Sequence, residues 1–170
     1  QAPTITGCPL DISVVANDEY CGNVVTWTAP TANDNCGVTL TSTHDPGDFF
    51  LVGTTTVIYT AEDGAGNTAT CSFIVEVLPA DPPAISGETN LCTPVTSTYS
   101  TDVLPGKTYK WTVTGGSISG VDDAPTVDVV WAGSGAGVVN LEVTSGSGCS
   151  VTNDLNVVRR ETPVVGNIES

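Results

Sequence analysis

The chain has 170 residues and a formal net charge of −15, with four Lys and Arg against nineteen Asp and Glu. Nucleic-acid phosphates and anionic membrane surfaces would repel such a chain, which argues against both as partners. No run approaches the ~20 apolar residues of a membrane span, and no basic-then-apolar segment opens the chain, so direct membrane insertion is not expected.

Acidity does not mean disorder here, because 39% of the residues are hydrophobic and Val, Ile and Thr recur at strand spacing. Helix periodicity is nearly absent, and Gly (18) plus Pro (11) total 29 residues. In chain order the strand-like runs are "DISVVA", "NVVTWT", "VTLTST", "TTTVIYT" and "TCSFIVEV", separated by Asn, Asp, Gly and Pro clusters. "LPADPPA" (Leu78 to Ala84) follows, with three prolines in seven residues, and reads as a short, semi-rigid linker. A second set comprises "TSTYST", "KTYKWTV", "TVDVVW", "GVVNLEV" and "SVTNDLNVV". Tyr109, Trp111 and Val113 share one face, as do Val127, Val129 and Trp131, and Val139, Leu141 and Val143. The expectation is an all-β chain of two tandem immunoglobulin-like β-sandwiches, residues 1–79 and 80–160, with 161–170 starting a linker to a further module. The opening "QAPTITGCPL" and closing "ETPVVGNIES" fit a piece of a longer protein.

Six cysteines, Cys8, Cys21, Cys36, Cys71, Cys92 and Cys149, form no C-x-x-C. An even count in an acidic, strand-rich chain points to disulfides and an oxidising compartment. Fifteen pairings are open, and locality along the chain favours Cys8–Cys21, Cys36–Cys71 and Cys92–Cys149.

"EDGAGNTATC" (Glu62 to Cys71) contains G-x-G-x-x-A, the dinucleotide-binding fingerprint. That motif needs a helix after it to hold the phosphates, and a strand-like run follows instead, so the nucleotide reading fails. Two readings stay open. In an immunoglobulin-like topology this loop and "TANDNC" lie at one end, which would bring Asp34, Asn35, Glu62, Asp63 and Asn67 together as oxygen ligands for calcium. The same residues could instead shape local turns, with Gly64 and Gly66 supplying positive φ. A second acidic group, Asp122, Asp123 and Asp128, with Asp81 in the linker, reads as solvated surface charge. Catalysis is not expected: a Ser-His-Asp arrangement would have to use His44 in the turn-like "THDPGDF". Paired carboxylates find no long loops to build a cleft around them. A sugar platform would draw on Trp27, Trp111 and Trp131, whose places in alternating strands favour the core.

The ordered matches "CP" (Cys8-Pro9), "VVTWTAP" (Val24 to Pro30), "NDNC" (Asn33 to Cys36), "PG" (Pro46-Gly47), "FLVGTTTVIYTAEDGAGNTATC" (Phe50 to Cys71) and "FIVEV" (Phe73 to Val77) make the first domain resemble a hyalin repeat (HYR) domain. "YKWTVTGGSISG" (Tyr109 to Gly120), "VDVVWAGSGAGVVNLEVTSGSGC" (Val127 to Cys149) and "LNVV" (Leu155 to Val158) make the second similar to PKD-like domains. Those domains occur in secreted and surface proteins of gliding and polymer-degrading bacteria. The resemblance implies non-catalytic extracellular modules for spacing, adhesion or protein contact, in a large cell-surface adhesin of gliding bacteria exported by the type IX route. The alternative it implies is an accessory carbohydrate-binding region of a secreted enzyme. Partners would be neighbouring modules of the same chain and a surface polysaccharide or protein. The fragment itself would be an elongated monomer.

Overall fold

Alternation of apolar and polar residues gives each strand one inner and one outer face, and the computed structural model, which describes residues 1–17 and 21–162, is built almost wholly on it. The described residues form fifteen strands and no helix, and the chain divides into two units between Ala80 and Asp81. Each unit is an immunoglobulin-like β-sandwich.

The first unit contains β1 (Thr4–Thr6), β2 (Ile12–Val15), β3 (Gly22–Val24), β4 (Thr31–Asn33), β5 (Val38–Ser42), β6 (Phe49–Leu51), β7 (Gly53–Asp63) and β8 (Thr68–Leu78). One sheet has the order β2-β8-β7-β5; the ribbons β1-β4 and β3-β6 complete the structure. On β7 and β8 the inner residues Val57, Tyr59, Ala61, Phe73, Val75 and Val77 are buried, while Thr56, Ser72 and Glu76 face water. Phe50 on β6 and Val25, just after β3, join the same core. "NVVTWT" is strand only as far as Val24. Beyond it Val25 bonds to the "DPGD" turn, accepting from Gly47 N–H at 2.8 Å and donating to the Asp48 carbonyl at 3.0 Å.

The strand β2 runs parallel to β8, with Ile12 opposite Val75 and Val15 opposite Leu78. The chain therefore travels along β8 on its way in and again on its way out.

The second unit repeats this plan with β9 (Asn90–Thr93), β10 (Val95–Ser100), β11 (Thr108–Thr114), β12 (Gly116–Ser119), β13 (Thr126–Trp131), β14 (Gly135–Thr144) and β15 (Ser150–Glu161). Its sheets have the orders β10-β13-β12 and β11-β14-β15-β9. Here too the first strand, β9, is parallel to the last, with Asn90 opposite Val158 and Thr93 opposite Glu161. The core is centred on Trp111, Trp131, Tyr99, Val129, Val139 and Leu141, all below 2% exposed. Trp111 Nε1 donates to the Ala124 carbonyl at 2.8 Å. Trp131 meets Tyr99 edge-on, with ring centroids 6.2 Å apart.

Trp131 needs a slot, and glycines make it. A Cβ on Gly137 would lie 2.5 Å from Trp131 Cζ3, and one on Gly116 would lie 2.7 Å from Cε3. Over the ring stands Arg159, its guanidinium carbon 5.6 Å from the centroid. Its two terminal nitrogens donate to the carbonyls of Ala132 (2.7 Å) and Ala136 (2.9 Å).

Gly137→Ala is expected to destabilise the second unit by about 1–3 kcal/mol through overpacking, and Trp131→Ala by about 3–5 kcal/mol. Urea unfolding followed by circular dichroism checks both, and a Gly137→Ala midpoint equal to the wild type would contradict the slot.

Candidate functional site

Residues Glu62 to Cys71 make the hairpin from β7 to β8, whose ladder closes at Glu62 opposite Thr68. Asp63 organises the turn. Its Oδ1 accepts from the backbone N–H of Ala65 and of Asn67, both at 2.9 Å, and its Oδ2 accepts from Asn67 Nδ2 at 2.8 Å. The Asp63 N–H in turn donates to the Asn67 carbonyl at 3.0 Å, and Gly66 takes a φ of 82° that a side chain rarely adopts. The Asn67 side chain first, then the two backbone donors, hold the Asp63 carboxyl below its ordinary pKa.

The other calcium candidates are arranged differently. Asp34 shapes its own turn, accepting from Cys36 N–H at 3.0 Å. The pairing of Val38 with Asp63 puts the "NDNC" and "EDGAGN" turns at one end of the unit. Asp34 and Asn35, however, open onto a hollow shared with Thr4 and Asn33, while Glu62 and Asp63 line another, shared with Gly37 and Gly64. Three N–H donors already point at the Asp63 oxygens, an arrangement that repels a cation. Among the described residues no group of three or more His, Cys, Asp and Glu could hold a metal ion. Asp34 and Asn35 are thus not brought into one hollow with Glu62 and Asp63.

The cysteines depart from chain locality. Cys8 is bonded to Cys71, with Cα atoms 6.0 Å apart. The parallel ladder explains the choice: Ile12 faces Val75 at an offset of 63 residues, and Cys8 and Cys71 are also separated by 63. The cystine continues that register four residues further back. Cys8–Cys21 is therefore replaced, since Cys21 adjoins Gly22, which bridges Asn17 at the far end of β2. Cys36–Cys71 is replaced as well. Cys71 faces Tyr59 on β7, four residues or about 13 Å along the strand from Asp63, where Cys36 lies; a disulfide needs Cα atoms within about 7 Å. Cys92–Cys149 fails on the same ground. Cys92 faces Arg160 at the end of β15, whereas Cys149 precedes its start, about 36 Å away along the strand. Cys36 and Cys92 carry free, exposed thiols, and neither Cys21 nor Cys149 is a free thiol.

The tryptophans are structural. Trp111 and Trp131 are buried, and half-buried Trp27 donates from Nε1 to Tyr59 Oη at 2.8 Å while packing edge-on against Phe73 at 5.2 Å. His44 stacks on Phe50 at 5.1 Å and its Nδ1 lies 3.3 Å from Thr43 Oγ1, with no triad around it. In the second acidic group Asp122 pairs with Lys110, which lowers its pKa, and Asp128 accepts from Thr98 Oγ1 at 2.6 Å. A feature missed in the sequence is the outer face of β3 and β6, where Val24, Phe49 and Leu51 are exposed. The signal was present in the doublets "VV" and "FF": on a strand, alternation must turn one member of each outward.

Two short-turned β-sandwiches in tandem, the first holding the Cys8–Cys71 cystine, place the chain in the class of immunoglobulin-like tandem modules. More narrowly, the HYR domain family matches residues 1–77 and the PKD-like domain family residues 78–157, so the chain is an HYR domain followed by a PKD-like domain. It is 37% identical over 89 residues to the mouse "Sushi, von Willebrand factor type A, EGF and pentraxin domain-containing protein 1", covering 50% of this chain and 2% of that protein. It is 52% identical over 58 residues to hyalin of Lytechinus variegatus, covering 34% of this chain and 11% of hyalin. With hyalin of Strongylocentrotus purpuratus it shares 42% over 88 residues, 49% of this chain and 7% of the other. These relatives are animal proteins, of which the chain spans a small part. Among solved structures, protocadherin gamma B2 extracellular cadherin domains 3–6 align at 12% identity over 92% of this chain and 47% of the other, with a TM-score of 0.36, a likeness too distant to carry argument.

Two expectations follow. Cys8→Ser should cost the first unit about 4 kcal/mol on the loop-entropy account of a 63-residue closure. Cys36→Ser and Cys92→Ser should stay within about 0.5 kcal/mol; non-reducing peptide mapping that links Cys8 to any residue but Cys71 would contradict the pairing. For Asp63, a lowered folded pKa means stability that is present above the ordinary carboxylate value of 3.8 and lost as pH falls through the folded value. The melting temperature of the wild type should therefore exceed that of Asp63→Ala at neutral pH, and the gap should narrow in strong acid. EDTA and millimolar calcium should leave the wild-type melting temperature unchanged.

Proposed function

We propose that this chain is a non-catalytic spacer and adhesion segment of a large bacterial cell-surface protein of the gliding type. One observation carries the reading: each unit takes the chain in at one end and releases it at the other. In the first unit the chain meets β8 at Cys71 and leaves at Leu78, about 23 Å further on. In the second, the Pro83 carbonyl accepts from Asn153 Nδ2 at 2.8 Å, Asn90 faces Val158, and the last strand ends at Glu161. A module with opposed entry and exit can be strung in series without limit, and short turns leave it no catalytic cleft. Its partners in this reading are the neighbouring modules of the chain and a surface polysaccharide or protein. The resemblance of the second domain to PKD-like domains of gliding bacteria supports the bacterial setting.

The second reading is an accessory carbohydrate-binding region of a secreted enzyme. Burial of Trp111 and Trp131 weighs against it, and exposed Phe49, beside Asn23 and Val24, is the aromatic it would use.

Antibodies against the two-module fragment should label intact, unpermeabilised cells of the source organism, and a panel of immobilised polysaccharides should not retain the fragment through Phe49. Labelling confined to a soluble secreted enzyme, with polysaccharide retention abolished by Phe49→Ala, would overturn the spacer reading in favour of the second.

A further inference from the structure

We propose that the free edge of β6 is a docking site for an extended, cationic segment of a partner protein, which joins the β3-β6 ribbon as a third strand. Two features meet there. The first is open backbone. Val25 N–H donates to the Asp48 carbonyl and Val52 N–H to the Cys21 carbonyl, both at 3.0 Å, so Asp48, Phe50 and Val52 turn their main-chain groups toward β3. Alternation turns those of Phe49 and Leu51 the other way, and among the described residues no strand pairs with that side. An edge of this kind takes up an extended chain through main-chain hydrogen bonds. The second feature is the face beside the edge. Val24, Phe49 and Leu51 lie on one side of the ribbon and are 61%, 47% and 66% exposed. The Phe49 ring is held in place: a Cβ on Gly22 would lie 2.6 Å from its Cζ, so the ring rests across the glycine of the neighbouring strand. With Gly22, Asn23 and Val24 it lines a hollow of about 530 Å³, which an apolar side chain of the incoming strand would fill.

Charge selects the occupant. Residues 1–79 hold nine Asp and Glu and no Lys or Arg. Two of those carboxylates, Asp45 and Asp48, are fixed in the turn that opens into β6: Ser42 Oγ donates to Asp45 Oδ1 at 2.8 Å, and Asp45 N–H donates to Asp48 Oδ2 at 2.9 Å. A strand that alternates apolar residues with Lys or Arg complements both the face and the charge. A second copy of the chain would bring a further excess of carboxylates, and two of its four cations are already engaged by Asp122 and Trp131. A glycan would need polar groups around the ring. The flanks here are Val24 and Leu51, and the Asn23 amide is given to the Val15 carbonyl at 2.8 Å. The inference rests on the adhesion reading and names the chemistry of its protein partner.

The test is an NMR titration of the nitrogen-15-labelled full chain with three short, end-blocked peptides: alternating Val and Lys, alternating Val and Glu, and alternating Ser and Lys. The Val–Lys peptide should shift the amide signals of Phe49 to Val52 and slow hydrogen exchange at the Phe49 and Leu51 amides, the two that a third strand would engage. Added salt should weaken it. Phe49→Ser and Leu51→Ser, surface changes whose folding circular dichroism verifies, should each raise its Kd about tenfold or more. Equal binding of the Val–Glu or Ser–Lys peptide, binding undiminished in both variants, shifts confined to other strands, or no binding at millimolar Val–Lys peptide overturns the inference. Self-association of the peptide-free chain that Phe49→Ser abolishes would give the edge to a second copy, and polysaccharide retention through Phe49 would give it to a glycan; either result also overturns it. Labelling of intact cells by antibody depends on none of these outcomes. Docking can therefore fail while the spacer and adhesion reading stands, and lost surface labelling with peptide binding intact would mark the reverse.

Discussion

The structure depends on one constraint: in each sandwich the first strand must lie parallel beside the last. Parallel pairing is slightly weaker per residue than antiparallel pairing, and it joins residues far apart in the chain, so loop closure opposes it. Four pairs between β2 and β8 make a short ladder. It is reinforced at both ends, by the cystine and the Asp11 carboxylate before Ile12 and by the Ala16–Leu78 bond after Val15. The second sandwich meets the same constraint with hydrogen bonds. Asn153 holds Pro83, Val158 N–H donates to the Thr89 carbonyl, and buried Thr93 donates to Gly133 at 2.9 Å.

Once that pairing holds, the rest follows from geometry. β2 covers the edge of β8 over Val75–Leu78 and β9 that of β15 over Val158–Glu161, so the exit end of each unit's last strand has no open ladder facing water. Antiparallel hairpins fill the remaining positions, and their inner residues meet across the sandwich. The Trp131 slot, made by Gly116 and Gly137 and roofed by Arg159, shows how little tolerance that leaves.

Much of this was legible in the residues because period-two alternation is a local signal. Tyr109, Trp111 and Val113, Val127, Val129 and Trp131, and Val139, Leu141 and Val143 were each read as sharing one face, and all are buried except Val113, which is partly buried against the same core. The tandem sandwich plan followed from strand spacing and the prolines of the linker. The cystines were not legible, since proximity along the chain says little about proximity across a sheet. The partner of Cys8 is set by a parallel register that no local pattern encodes. The acidic turns were half legible. Topology did bring "NDNC" and "EDGAGN" to one end, but an Asp that bonds its own turn and an Asp that holds an ion look alike as letters. Asp63 differs only in the three N–H donors that fill its oxygens.

The same chemistry accounts for how an acidic chain stays folded. Residues 1–79 contain no Lys or Arg, so their carboxylates cannot be neutralised by those side chains. Asp11, Asp34 and Asp63 are instead satisfied by backbone N–H groups, which cost no counter-charge and fix the chain locally. In the second unit two of the four cations have structural tasks, Lys110 on Asp122 and Arg159 over Trp131. Most of the negative charge therefore remains uncompensated at the surface. For modules whose sheets still end in edges such as β5 and β11, that charge opposes edge-to-edge association of neighbouring copies. Acidity and the parallel closure of each sandwich address the same hazard: one covers the strand edges that can be covered, and the other keeps the remaining edges apart.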